Sequence, residues 1–108
     1  DLALLRTILE SGEWMTADDI SKSGPWMDAR PGMYLSETQR RVRQAAHDSK
    51  GAILSYPGSP GYKLRALASN EEIKTAVNKI RHQAREMMDR AEEMETCGQG
   101  ATEQGALL

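Results

Sequence analysis

Residues 36–66, SETQRRVRQAAHDSKGAILSYPGSPGYKLRA, hold the pattern that decides the predicted fold. Ser36 followed by Gln39 three positions later is typical of a helix start with a capping box. Gly51 supplies a left-handed stop, so we predict a helix that ends near Lys50.

The predicted helix has two different faces. At about 100° per residue, one face is narrow and mostly small or apolar, which is typical of a side that packs inward. It comprises Leu35, Thr38, Val42, Ala45, Ala46 and Ser49. The opposite face carries Arg40, Arg43, Gln44 and His47. Arginine and glutamine at this spacing reach base edges and phosphates if the helix enters a major groove. A solvated polar surface is the alternative interpretation.

A short β-hairpin is predicted directly after this helix. Its strands lie near Ala52–Tyr56 and Tyr62–Leu67, joined by the Pro- and Gly-rich residues 57–61. Lys63 and Arg65 alternate with Leu64, so both are expected on one face of the second strand. A basic helix followed at once by a basic hairpin favours a surface that binds nucleic acid. Ser59 of the turn is expected to contact nucleic acid together with Lys63 and Arg65.

This order of elements resembles the winged helix-turn-helix family. The segments that carry the resemblance are the helix SETQRRVRQAAHDSKG, the strand AILSY, the turn PGSPG and the strand GYKLRA. The resemblance implies a mainly α fold with a small β-hairpin wing, over a domain spanning residues 1–67. In this family the second helix of the motif reads the major groove and the wing touches neighbouring backbone. The implied DNA-binding residues are Arg40, Arg43, Gln44, His47, Ser59, Lys63 and Arg65.

Charge is distributed unevenly along the chain. Residues 36–67 carry six Lys and Arg against two Asp and Glu, whereas residues 1–35 and 68–108 each have a net charge of −3. Acidic flanks repel phosphate, so we expect only the central segment to dock on a polyanion. The overall net charge of −2 argues against a non-specific DNA coat.

Two core helices are predicted before the central segment. Asp1–Gly12 has apolar residues at helical spacing and ends at a glycine. Thr16 is predicted to cap a second helix over about Ala17–Lys22, because acidic residues follow it in the first turn.

Residues 24–34 are predicted to form a long loop, since they include two Pro and two Gly. This departs from the family, whose turn has about three or four residues. Trp26 and Met27 either cover the core or form an exposed patch for a protein partner.

A long helix is predicted after the hairpin. Ser69 and Glu72 form a second capping-box pattern, and the helix should span about Asn70–Glu95. Its apolar residues follow a heptad spacing over about three heptads: Ile73, Val77, Ile80, Ala84, Met87, Ala91 and Met94. This stripe is longer than a small domain, which is about 25–30 Å across. We therefore predict that residues 69–96 dimerise, through Ile80, Ala84, Met87, Ala91 and Met94.

The heptad pattern also bears on the orientation of the helices and on the number of copies. Arg90 and Glu95 fall at flanking heptad positions that favour a parallel pair. Met88 could widen the stripe, which leaves a higher oligomer open. Residues 97–108 are rich in Gly and Gln without periodicity, and we predict a disordered tail.

The remaining chemistry indicates a binding protein. His47 and His82 lie on different predicted elements without metal-ligand spacing, and no Gly-rich phosphate loop precedes a helix. We therefore predict no enzymatic activity, metal or cofactor. The single Cys97 fits a reducing cytoplasm, where we place the protein. With no apolar run near ~20 residues, no membrane association is expected.

Two functions remain as hypotheses. The first is sequence-specific binding of double-stranded DNA by a homodimer that reads two half-sites. The arrangement resembles small regulators, replication organisers or packaging adaptors of phages and other mobile elements. The second is a protein-binding winged helix, an assembly adaptor or inhibitor that binds no DNA.

Overall fold

The computed structural model describes the backbone of residues 1–107 and the side chains of residues 1–97. The described chain is mainly helical, with a two-stranded antiparallel hairpin and a long last helix. In chain order the elements are α1 (Leu2–Ile8), α2 (Ala17–Ser21), α3 (Gly24–Ala29), α4 (Leu35–Asp48), β1 (Ile53–Leu54), β2 (Lys63–Leu64) and α5 (Asn70–Leu107). The chain divides within α5 into two units, residues 1–76 and 77–108.

The first two helices confirm the predicted start and stop signals. A 3₁₀ turn, Leu9–Ser11, extends α1 to Gly12, which adopts a left-handed φ of 78°. Thr16 caps α2 as predicted: the Asp19 backbone N–H donates to its hydroxyl at 3.1 Å, and its own N–H donates to the Asp19 carboxylate at 3.0 Å. This reciprocal pair satisfies two donors that the helix cannot satisfy internally.

The prediction of one long loop over residues 24–34 is wrong, because α3 lies within it. The Ser23 hydroxyl caps this helix by accepting from the Trp26 backbone N–H at 3.4 Å. Pro25 lies in the first turn of α3. Backbone N–H groups in a first turn have no acceptor within the helix, so a proline there costs no hydrogen bond. The Pro and Gly residues that predicted a loop are therefore compatible with a helix start.

Trp26 and Met27 have different environments, although they are neighbours on α3. Trp26 is 1% exposed and belongs to the core, whereas Met27 is 54% exposed. The Trp26 indole N–H donates to the buried Thr38 hydroxyl at 3.3 Å. Of the two predicted alternatives, Trp26 therefore lies in the core, and only Met27 of this pair exposes apolar surface.

The two-faced helix is α4, and its start differs from the prediction. It begins at Leu35 after Tyr34, and no side chain caps it, so the capping box predicted at Ser36 does not form. The predicted inward face is confirmed for most of its members: Thr38, Val42, Ala45 and Ser49 are buried. Ala46 is half-buried, and Leu35 is the exception at 40% exposed. The helix ends at Asp48, two residues before the predicted limit, and the left-handed conformation begins at Lys50 (φ 55°) and continues at the predicted Gly51 (φ 97°).

One apolar core joins the elements of the first unit. Its buried members come from α1 and its 3₁₀ extension, α2, α3, α4 and β1: Leu5, Ile8, Leu9, Ile20, Trp26, Val42, Ala45 and Ile53. Because α4 contributes only one side to this core, its other side is left at the surface of the unit.

The hairpin is confirmed, with shorter strands than predicted. Ile53 pairs with Leu64, and Leu54 pairs with Lys63. Tyr62 pairs instead with Met15 of the segment between α1 and α2, through backbone hydrogen bonds of 2.7 and 3.0 Å. Arg65 begins a 3₁₀ turn, Arg65–Leu67, so β2 ends at Leu64, three residues before the predicted limit.

The start of α5 is the capping box predicted at Ser69 and Glu72, with hydrogen bonds of 2.9 and 3.1 Å. The helix extends beyond the predicted end at Glu95. The described backbone is helical through Leu107, where a disordered tail was predicted over residues 97–108. None of the helices that the structure describes is both long enough and apolar enough to cross a membrane.

Candidate nucleic-acid interface

The outer face of α4 brings together the four helix residues predicted to contact DNA. Arg40, Arg43, Gln44 and His47 are all exposed, as predicted. Their side chains project from the side of the helix opposite Thr38, Val42, Ala45 and Ser49, which anchor α4 in the core. The result is a row of long polar side chains on a rigid support.

Glu37 restrains two arginines at the start of this face, a contact that was not among the predictions from the sequence. The Arg40 guanidinium donates to both Glu37 oxygens, at 2.6 and 3.1 Å, and Arg41 donates to one of them at 3.1 Å. These hydrogen bonds lower the pKa of Glu37 to about 2, and those from Arg40 have the largest effect. The signal was present, because Glu precedes Arg by three and by four positions, where helical side chains meet.

Arg43 and His47 are the available donors of the face. Among the side chains that the structure describes, no hydrogen bond or ion pair involves either of them. Gln44, by contrast, donates to the exposed Asp48 carboxylate at 2.9 Å. A phosphate could therefore approach Arg43 directly, whereas Arg40 must first be released from Glu37.

Lys63 of the hairpin does not project outward as predicted. Its side chain is 12% exposed, and its ammonium donates to both oxygens of Glu72, at 2.8 and 2.9 Å. The same ammonium lies 5.6 Å from the centre of the Trp14 ring, whose indole N–H donates to Glu72 at 2.8 Å. Lys63 thus ties the hairpin to the start of α5, a contact between residues too far apart in sequence for a local pattern to indicate.

The other two hairpin residues occupy separate positions. The Ser59 hydroxyl closes the turn by donating to the Gly61 carbonyl at 3.0 Å and accepting from the Tyr56 N–H at 3.4 Å. Arg65 is exposed and lines a shallow groove beside Arg6 of α1 and Glu10 of its 3₁₀ extension. Of the predicted hairpin contacts, Arg65 is therefore the cation left at the surface.

No group of three or more His, Cys, Asp or Glu side chains in the described part of the chain is arranged to hold a metal ion. Compared with known proteins, the chain matches no family model, no curated protein and no solved structure.

Proposed function

We propose that this protein binds double-stranded DNA in a sequence-specific manner as a homodimer. The observation that carries the proposal is the outer face of α4, where Arg43, Gln44 and His47 stand with Arg40 on a helix whose other side is buried. A helix of this diameter fits the major groove of B-DNA, and these side chain types pair with guanine, adenine and phosphate.

Charge distribution supports docking through this face. The net charge of residues 36–67 is +4, while the residues on either side carry −3 each. The acidic residues on either side repel the phosphates of DNA, so the basic segment determines which side of the protein approaches DNA. In the proposed complex Arg65 contacts backbone beside the groove, and Lys63 supports the hairpin from within.

The dimer is the second half of the proposal. The heptad stripe of α5 supports it, because Ile80, Met87 and Met94 are 48%, 60% and 65% exposed along one side of the helix. Two copies would then read two half-sites, which multiplies both affinity and specificity.

Binding should first be tested with a site selected from a random duplex pool. Its affinity is then measured by fluorescence anisotropy over a series of salt concentrations. Arg43→Ala is expected to weaken binding and to reduce the slope of log K against log salt by about one for a lost phosphate contact. Arg40→Ala should act in the same direction.

Two further variants make the test specific to α4. Glu37→Gln removes the carboxylate that competes for Arg40, so it should strengthen binding and steepen the salt slope. Lys74→Ala removes the same charge as Arg43→Ala from an exposed position on α5, outside the proposed interface, and should leave affinity nearly unchanged. Equal losses from the Lys74 and Arg43 variants would show that net charge, and not this face, controls binding.

A protein-binding adaptor is the second candidate function. Met27, Tyr34 and Leu35 are 54%, 83% and 40% exposed between the middle of α3 and the start of α4. Exposed apolar side chains of this kind could contact a protein partner. Failure to retain any duplex from the random pool, even at low salt, would favour this candidate over DNA binding.

A further inference from the structure

The distal segment of α5, residues 77–97, has an apolar stripe that faces solvent in the described structure. Its large members are exposed: Val77 by 38%, Ile80 by 48%, Met87 by 60% and Met94 by 65%. The small side chains of Ala84 and Ala91 leave a groove along the helix, bordered by Arg81, Met88 and Glu95. A stripe this long on an otherwise charged helix favours packing against another helix.

Charge is separated along the distal segment. Its first part, residues 77–85, has a net charge of +3, from Lys79, Arg81 and Arg85. Its second part, residues 86–97, has a net charge of −4, from five acidic residues and Arg90. A second copy in parallel register would place like charges side by side along most of this length. An antiparallel copy would place each basic part beside an acidic one.

Side-chain size indicates the same orientation independently. A parallel pair would stack Ala84 on Ala84 and Met87 on Met87, alternating thin and thick layers that one interhelical distance cannot fill. In an antiparallel pair each layer combines a small and a large residue. In these layers Ala84 of one copy lies opposite Met87 of the second copy. In the same way Ala91 lies opposite Ile80, and Val77 lies opposite Met94.

Both patterns have the same centre. The three size-matched layers are symmetric about the midpoint between Arg85 and Glu86, and the sign of the charge changes at that midpoint. We propose that a second copy of this chain packs on the distal segment in antiparallel orientation, with the two-fold axis between these two residues. This inference rests on the homodimer of the proposed function and adds its orientation. The Arg90 and Glu95 pair that favours a parallel dimer is outweighed by the separation of the remaining charges.

Cys97 provides a direct test, because it is the only cysteine of the chain and its side chain is exposed. A nitroxide label on Cys97 of the full chain allows the distance between the two copies to be measured by pulsed electron paramagnetic resonance. At 1.5 Å per residue, antiparallel helices place the two labelled positions about 35 Å apart along the axis. A parallel pair places them side by side, within roughly 20 Å.

Dimer affinity gives a second, independent measurement, by sedimentation equilibrium. Added salt should weaken an antiparallel dimer, since it screens attraction between opposite charges. Ala84→Met should raise the dimer dissociation constant by about tenfold or more, because it places two methionines in one layer. The matched control is His82→Met, on the opposite side of the helix, which should leave dimerisation unchanged.

The outcomes separate this inference from the proposed function. A short label distance, together with a dimer that tightens in salt, would overturn the antiparallel orientation and leave a DNA-binding homodimer intact. A chain that stays monomeric at every concentration would overturn the inference and the dimeric half of the proposed function. The effect of Arg43→Ala on DNA affinity would still decide DNA binding itself.

Discussion

The Glu72 carboxylate connects two distant parts of the first unit, at Trp14 and Lys63, to the start of α5. It accepts from the Trp14 indole at 2.8 Å, from the Lys63 ammonium at 2.8 and 2.9 Å, and from the Ser69 backbone N–H at 2.9 Å. The Lys63 ammonium, with Ser69 and Trp14, lowers the pKa of Glu72 to about 2 from its ordinary value of 4.5. The helix cap seen in the sequence is thus also a tertiary anchor.

Acid is expected to destabilise the fold through this carboxylate. Because the pKa of Glu72 is lower in the folded state, its stabilisation is fully present above about pH 4.5 and is lost as pH falls towards 2. Glu72→Gln should lower the melting temperature at neutral pH and flatten its decline in this acid range. The remaining decline belongs partly to Glu37, whose pKa is also lowered to about 2. Glu71→Gln, at an exposed neighbour, is the control in thermal melts; an equal effect from it would contradict this role.

Trp26 and Met27 provide a contrast between adjacent side chains. Trp26→Ala should cost about 3–5 kcal/mol, because it empties a large buried site and leaves the Thr38 hydroxyl without its donor. Met27→Ala should change stability by only about 0.5 kcal/mol, as is usual for exposed positions. Urea denaturation of both variants measures the difference. Comparable losses would mean that Met27 is also part of the core.

The hairpin depends on a close approach that only glycine permits. A Cβ at Gly61 would collide with the Met15 backbone carbonyl, where the extra strand pairing is made, and Gly61 has φ 149°. Gly58 also has a positive φ, of 81°, but a Cβ there would meet open space.

Gly61→Ala should therefore destabilise the protein more than Gly58→Ala does. The Gly58 variant is expected to cost about 1 kcal/mol from backbone conformation alone. Hydrogen exchange at the Met15 and Tyr62 amides should report the additional loss in the Gly61 variant, because these two groups donate across the pairing. Unchanged protection at both amides would contradict this role for Gly61.

The first unit should fold without the distal part of the chain. Its boundary at Ala76, which is 2% exposed, keeps the Glu72 contacts and the core within residues 1–76. A chain ending there should retain a cooperative thermal transition but lose dimerisation. On the selected DNA it should bind a single half-site as the full chain does, and lose affinity for the double site. An unfolded spectrum from this shortened chain, by circular dichroism or NMR, would show that residues beyond 76 contribute to the fold.

Local patterns carried most of the helical architecture. Thr16 and Ser69 begin helices with capping boxes, and Gly12 ends the first helix. The buried and exposed faces of α4 follow from helical periodicity, and its end lies close to the predicted Gly51. These features depend on residues within one or two turns of each other, so their physics is present in the chain order.

Long-range contacts explain what the patterns missed. Pro25 could begin a helix or break one, and the burial of Trp26 against Thr38 favours α3. Lys63 could point outward along a strand, and Glu72 together with Trp14 holds it instead. Such choices depend on partners distant in sequence, whose favourable energy exists only once the chain has packed. The outer face of α4, by contrast, follows from helical periodicity within one segment, so its residues could be predicted from the sequence.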